Sequence, residues 1–600
     1  MKPYILSSGK IGSVALLCGF SLLLTVSGCG KNELKSASGE ADSEEFDVFL
    51  EDLFCSEITG NTINLHYTLS HPENYGITEI PITLGDLSEE ALLASAASLE
   101  NTKASLEKFP YSSLSRKQQL TYDLLEDYLD TQISVADLTY YDEILRPSTG
   151  VQAELPVLYE EYRFHSESDI DDYLALIGLT GDYFDQIIAF EQEKADAGLF
   201  MSDFACNTII SQCRDFAAKK DDHYLVETFN NKIDRMEGLS DEEKDNYKLQ
   251  NESLVTEVVI PAYETLATAL ESLLGTGTND KGLCYFADGS RYYEYLVYYN
   301  TGCSSDISDI ANMIRNQRTD DLAEAAELTK KYPDLWEECT DAALNNTDAA
   351  TTLSKLQEAM LDAFPVAPDT RFTVSYIDEC MEDYLAPAFY ITSPIDDYTD
   401  NSIFINQSTD TSTVEYFTTL AHEGYPGHLY QTVMSYEAGL ADVRNLFNYP
   451  GYVEGWATYV EMLSYYYTGL DDNVASMLQH NQSAILSLYA STDIGIHHDG
   501  WSYDDTVTFW NGYGITADDT IRDIYELIVE EPAHYLKYYV GYLEFLELKK
   551  MAQKKYLLHY DDVAFHRAIL EIGPAPFDII EKYFADYYTT SEETDTHPAY

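Results

Sequence analysis

His422, Glu423 and His428 bring two imidazoles and a carboxylate together in the segment Ala421-His422-Glu423-Gly424-Tyr425-Pro426-Gly427-His428. These are the side chains that ligate zinc and take a proton from a metal-activated water. In the motif H-E-x-x-H the histidines stand four apart on one helical face and the Glu serves as base. Here they stand six apart. Six steps of about 100° leave two side chains ~120° apart on a regular helix, which would not chelate. Gly424, Pro426 and Gly427 lie inside the interval. Pro removes a helical hydrogen bond and collides with the preceding turn, and Gly accepts the backbone that results. The spacing therefore predicts a break or bulge that returns His428 towards His422. The competing reading is a helix-loop-helix junction whose histidines cap or pack. The His-Glu adjacency and the second His beyond a Gly/Pro break favour the metal.

A catalytic zinc takes three protein ligands and keeps a position for water. Pro450 and Gly451 introduce Tyr452-Val453-Glu454-Gly455-Trp456-Ala457-Thr458-Tyr459-Val460-Glu461, which reads as an aromatic helix with Glu454 and Glu461 on one face. A carboxylate on a buried helix needs a partner. Glu454 is the expected third ligand, and Glu461 is expected to orient a ligand imidazole. Further on, Asp493-Ile494-Gly495-Ile496-His497-His498 and Pro532-Ala533-His534-Tyr535-Leu536-Lys537-Tyr538 offer His and Tyr donors. His497 or Tyr538 could stabilise an oxyanion, although an aromatic helix is more simply core.

Elements must hold these residues. Ser412 with Glu415 opens a helix in which Val414, Phe417, Leu420 and Ala421 recur at helical spacing into His422. Ala388–Thr392 and Ser402–Asn406 read as a β-hairpin. If its outer strand flanks the site, Ile405 and Asn406 are candidates to bind an extended peptide through the main chain; an ordinary structural hairpin is the alternative. Helix starts at Ser88, at Ser115 with Gln118, and at Ser168 make the N-terminal half mainly helical. The expected fold is mainly α with a small β-hairpin or sheet beside the site.

The 600 residues are 45% hydrophobic and 13% aromatic, enough for a large buried core. A net charge of -69, from 35 basic and 104 acidic residues, makes nucleic acid and anionic lipid surfaces poor partners. Lys2 and Lys10 precede an apolar run from about Val14 to Val26, shorter than the roughly 20 residues of a membrane helix. The run ends Val26-Ser27-Gly28-Cys29, which resembles a bacterial lipobox; the resemblance implies cleavage before Cys29 and lipid on its sulfur. A plain secretory signal is the alternative. The organisation expected is a signal peptide over 1–28, a lipidated Cys29 and tether over 29–45, and one domain over 46–600. Of nine cysteines, seven remain after Cys18 and Cys29, and no C-x-x-C pair exists to suggest a thiolate zinc site.

Together, His422 to His428, Glu454-Gly455-Trp456-Ala457, Asp493-x-Gly495-Ile496-His497 with Gly500-Trp501, Pro532 with Tyr538 and Gly541, and the later Phe565-His566 and Gly573-Pro574 resemble the bacterial domain-of-unknown-function 885 family. Its members are grouped with gluzincin-like metallopeptidases and are often exported lipoproteins. The resemblance runs from about Phe46 to the C-terminal region. It implies a largely helical, gluzincin-like architecture with His422, His428 and Glu454 as ligands of one Zn2+ and Glu423 as base. The expectation is hydrolysis of a peptide substrate outside the membrane that holds the anchor. A non-catalytic peptide-binding lipoprotein, or a metal-dependent hydrolase of another amide or ester, are the alternatives.

Overall fold

Side-chain caps punctuate the first half of the chain in the computed structural model, which describes residues 39–78, 82–219, 223–277, 279–344, 348–377, 382 and 386–588. The signal segment, Cys29 and Cys380 lie outside the described residues. Ser88 accepts from the Ala91 amide and opens the helix Glu89–Leu106; Ser115 and Gln118 form a reciprocal capping box ahead of Arg116–Ile133. The helix expected from Ser168 begins two residues earlier. Asp169 reaches back to the amide of Ser166, so Ser166 is the cap and Ser168 falls in the first turn of Glu167–Ile177. A second helix, Thr180–Asp196, follows and ends before Gly198, whose φ of +73° suits a residue without a side chain.

Three strands form one small sheet: β1 (Arg371–Tyr376), β2 (Ala388–Ile391) and β3 (Asp400–Ile405), in the order β1-β3-β2. The expected hairpin is present as the antiparallel pair β2/β3, with Tyr390 opposite Ile403. The parallel partner β1 was not expected, and it changes what β3 can do. With β1 on one side and β2 on the other, β3 is the central strand. Ile405 stands opposite both Ala388 and Tyr376, its carbonyl accepts from the Ile377 amide, and the Asn406 amide donates to the Pro387 carbonyl. The Asn406 side chain donates to the Glu382 carbonyl. Ile405 and Asn406 are thus no free edge, and the peptide-binding role expected of them is corrected by this pairing.

The sheet separates two cores, because successive strand residues point to opposite faces. Phe389, Ile391 and Phe404 pack with the helices of the first half, including Leu155, Tyr173 and Leu266. Ala388, Tyr390, Ile403 and Ile405 face the larger core built by the C-terminal helices and by Phe46, Leu50 and Leu125. That second face carries the site.

Six helices frame it: α1 (Val414–Glu423), α2 (His428–Glu437), α3 (Pro450–Ser464), α4 (Asp472–His497), α5 (His534–Tyr556) and α6 (Asp562–Ile572). The cap of α1 is Thr413, one residue after the Ser412 expected. Helices α3 and α5 cross with almost no separation. A Cβ built on Gly455 would come within 2.5 Å of the backbone of Gly541, so two glycines face each other at the crossing. The contact fixes Glu454 on α3 relative to Lys537 and Tyr538 on α5. Among the described residues no helix is long and apolar enough to cross a membrane.

Candidate metal centre

The interval between the histidines is a helix break. α1 ends at Glu423, the chain turns through Gly424 and a cis Tyr425-Pro426 bond, and α2 starts with His428 as its first residue. A Cβ on Gly427 would lie 1.7 Å from the His422 carbonyl oxygen, so only glycine lets the returning chain pass this close. The turn is tied down by Trp456, whose indole N–H donates to the Pro426 carbonyl at 2.9 Å. As a result the imidazoles of His422 and His428 meet nearly perpendicular, with ring centroids 4.8 Å apart.

Glu454 completes a convergent set. Its Oε2 lies 3.6 Å from Nε2 of His422 and 3.4 Å from Nε2 of His428. Ligand atoms ~2.0–2.2 Å from a tetrahedral zinc stand roughly 3.3–3.6 Å apart, so these separations fit a shared ion. His422 Nε2, His428 Nε2, Glu454 Oε2 and Glu423 Oε1 are all buried without a hydrogen-bond partner. Four such atoms in one place are costly unless something positive sits among them. His422, Glu423 and His428 also form a group whose ligand atoms lie within 4.8 Å of one another. Of the two carboxylates, Glu454 aims one oxygen at both imidazoles, whereas Glu423 is held by Oε2, which accepts from the Tyr390 amide at 3.0 Å. Glu423 therefore offers Oε1 from beside the pair.

The surroundings orient and charge the set. Glu461 Oε2 lies 3.1 Å from Nδ1 of His422, which directs Nε2 of that ring inward. Lys537 Nζ lies 3.8 Å from the other oxygen of Glu454. Burial opposes a charge on His422, but Glu454, Glu461 and Glu423 outweigh it and lift its pKa to about 10. Burial also works against the Glu454 carboxylate, and His422, His428 and Lys537 hold it well below the usual range. Glu423 is raised by burial, with the two histidines opposing. The cluster favours positive charge at its centre, which either a proton on His422 or a divalent cation supplies.

The remaining expected residues divide. Tyr538 is at the site, its ring 6.5 Å from that of His422 and 5.6 Å from His534. Burial raises its phenol well above the usual range, so it stays protonated. His497 is elsewhere in role. Its Nδ1 accepts from the Leu283 amide at 3.1 Å, its Nε2 donates to the Ile528 carbonyl at 2.7 Å, and its ring stacks on Tyr293. Both nitrogens are spent on backbone, which removes His497 as an oxyanion donor. Lys537 and the Tyr390 amide were not expected. Lys537 had one signal, a cation in an aromatic helix of a chain poor in cations; a backbone amide has none.

A mainly helical fold with a three-stranded sheet and a buried His-Glu-His cluster defines the class. The chain belongs to the family described as "Bacterial protein of unknown function (DUF885)", whose model matches residues 75–583. No match is found among curated proteins. Among solved structures the chain is similar to a candidate lipoprotein from Colwellia psychrerythraea, with a TM-score of 0.81 and 18% identity over 91% of this chain and 99% of that one. It is also similar to a candidate lipoprotein of unknown function from Shewanella oneidensis, with a TM-score of 0.58 and 16% identity over 92% and 100%. At these identities the likeness is one of fold.

Proposed function

We propose that the protein is a zinc-dependent peptide hydrolase of gluzincin-like architecture, exported and held at the extracytoplasmic face of a bacterial membrane by lipid on Cys29. The observation that carries the chemistry is the convergence of four unpartnered buried atoms from His422, His428, Glu454 and Glu423. The anchor rests on the lipobox-like Val26-Ser27-Gly28-Cys29 and on the two lipoprotein-like neighbours.

His422 and His428 through Nε2, and Glu454 through Oε2, would hold the zinc. When bound, the metal polarises a carbonyl and lowers the pKa of a water. The protein's own residues do the rest. The Tyr390 amide fixes Glu423 by Oε2, so that Oε1 accepts a proton from the attacking water and passes it to the leaving amine. The protonated Tyr538 phenol donates to the oxyanion. Glu461 keeps His422 in the tautomer whose Nε2 is free to ligate.

The strand that holds the base is β2. Its Tyr390 amide points to Glu423 and away from β3, and alternation turns the backbone of Ala388 the same way. Replacing Glu423 with Gln tests the reading: peptide cleavage falls by at least about a hundredfold, the scale of general-base catalysis, while zinc content is kept. Cleavage at the unmutated rate contradicts it.

A further inference from the structure

A cleft of about 250 Å³ opens from the metal centre between α2, the start of α3 and β2, and its lining includes His428, Tyr390, Gln431, Ser435 and Arg444. His428, Gln431 and Ser435 share one face of α2, and Ser435 lies two turns, or roughly 10 Å, along the helix from His428. Gln431, Ser435 and Arg444 are 4%, 5% and 8% exposed. Gln431 Nε2, Ser435 Oγ and Arg444 Nε nevertheless have no hydrogen-bond partner. All three can donate, so the cleft presents a row of unmet donors that begins at the site.

Arg444 is the charged member of the row. One nitrogen, Nη2, donates to the carbonyls of Ile572 and Pro574 at 2.6 and 3.2 Å. Among the described residues no carboxylate lies within 4.0 Å of the guanidinium, in a chain with 104 acidic residues. Asp442 also lines the cleft but is engaged with Tyr75 and lies near Glu51. Burial lowers the guanidinium to a pKa of about 10, which leaves it charged at neutral pH. A buried cation of this kind is retained at a cost unless an anion arrives to meet it.

We propose that Arg444, with Gln431 and Ser435, binds a carboxylate of the peptide substrate. The anion is the C-terminal carboxylate or an Asp or Glu side chain lying a few residues from the scissile bond. An extended residue spans ~3.3–3.6 Å, so about three residues cover the two helical turns from His428 to Ser435. The proposal rests on the peptide-hydrolase reading, because it assigns the same bound peptide a second point of contact.

The test measures binding, not turnover, by titrating acetyl-tetraalanine into the zinc-supplied Glu423→Gln chain in a calorimeter. Its C-terminal amide, and that amide with Glu in place of the last Ala, are titrated alongside. At least one of the two carboxylate-bearing peptides binds about tenfold to a hundredfold more tightly than the neutral amide, the worth of a charge-assisted hydrogen bond. Whichever peptide gains identifies the source of the anion. Adding Arg444→Gln removes the gain, and Arg444→Lys restores part of it. Because Arg444 also holds the end of α6, Gln431→Ala and Ser435→Ala in the same background give an independent check, each reducing the preference without a change in melting temperature. Equal binding of the three peptides, no binding of any, or a preference that survives Arg444→Gln overturns the proposal. If the unmutated chain cleaves no peptide and yet shows the Arg444-dependent preference, the hydrolase reading fails and the carboxylate site stands.

Discussion

The indole N–H of Trp456 donates to the carbonyl of Pro426 at 2.9 Å, joining the helix that carries Glu454 to the break between His422 and His428. One hydrogen bond thus links the third proposed ligand to the turn that brings the first two together. Trp456 is fully buried, packed edge-on against Phe545 and His566. Trp456→Phe keeps most of that packing and strands the Pro426 carbonyl. The expected cost is ~1–3 kcal/mol of stability, with a measurable fall in zinc affinity as the turn loosens. Urea unfolding and a competitive zinc titration check both; an unchanged zinc affinity would mean the turn holds itself.

In the proposed centre Glu461 acts on the metal through His422. Its carboxylate lies 3.1 Å from Nδ1 of the ring and on the side remote from Glu454. Glu461→Ala is expected to weaken zinc binding by about ten- to a hundredfold, the usual effect of losing such a partner. It should leave the helical content of the protein unchanged, as read by circular dichroism.

The approach of His422 to His428 was legible in the sequence because a local rule exposes it, and Glu454 was read from its place on an aromatic helix. A six-residue spacing needs a break, and Gly424, Pro426 and Gly427 supply one. The helical character and the caps Ser88 and Ser115 were legible for the same reason, since capping is a matter of three or four adjacent residues, whereas the starts read at Ser168 and Ser412 fall at Ser166 and Thr413. Long-range pairing was not. β1 joins β3 across more than twenty residues that include the whole of β2, and without β1 the strand holding Ile405 and Asn406 looks like an edge. Nor could residue type separate His497 from a donor at the site, because its role depends on Leu283 and Ile528, which approach from distant segments.

His497 gives the pH prediction. Burial lowers its pKa to about 4, with the Ile528 carbonyl opposing, so the folded protein keeps it neutral where the unfolded chain, near its ordinary 6.5, takes up a proton. Its contribution is present above pH ~6.5 and is lost as pH falls through the interval from ~6.5 to ~4. In His497→Asn the decline of melting temperature across that interval should be shallower than in the unmutated chain. Zinc content should stay the same, which a role for His497 as a ligand would not allow.

The most direct measurement is the metal content of the purified chain beside His428→Ala and Glu454→Ala, each supplied with zinc and then passed through a desalting column. The account predicts about one zinc per chain, lost in both variants, as a three-ligand site requires. No zinc in the unmutated chain, or zinc retained at full occupancy by both variants, would contradict it.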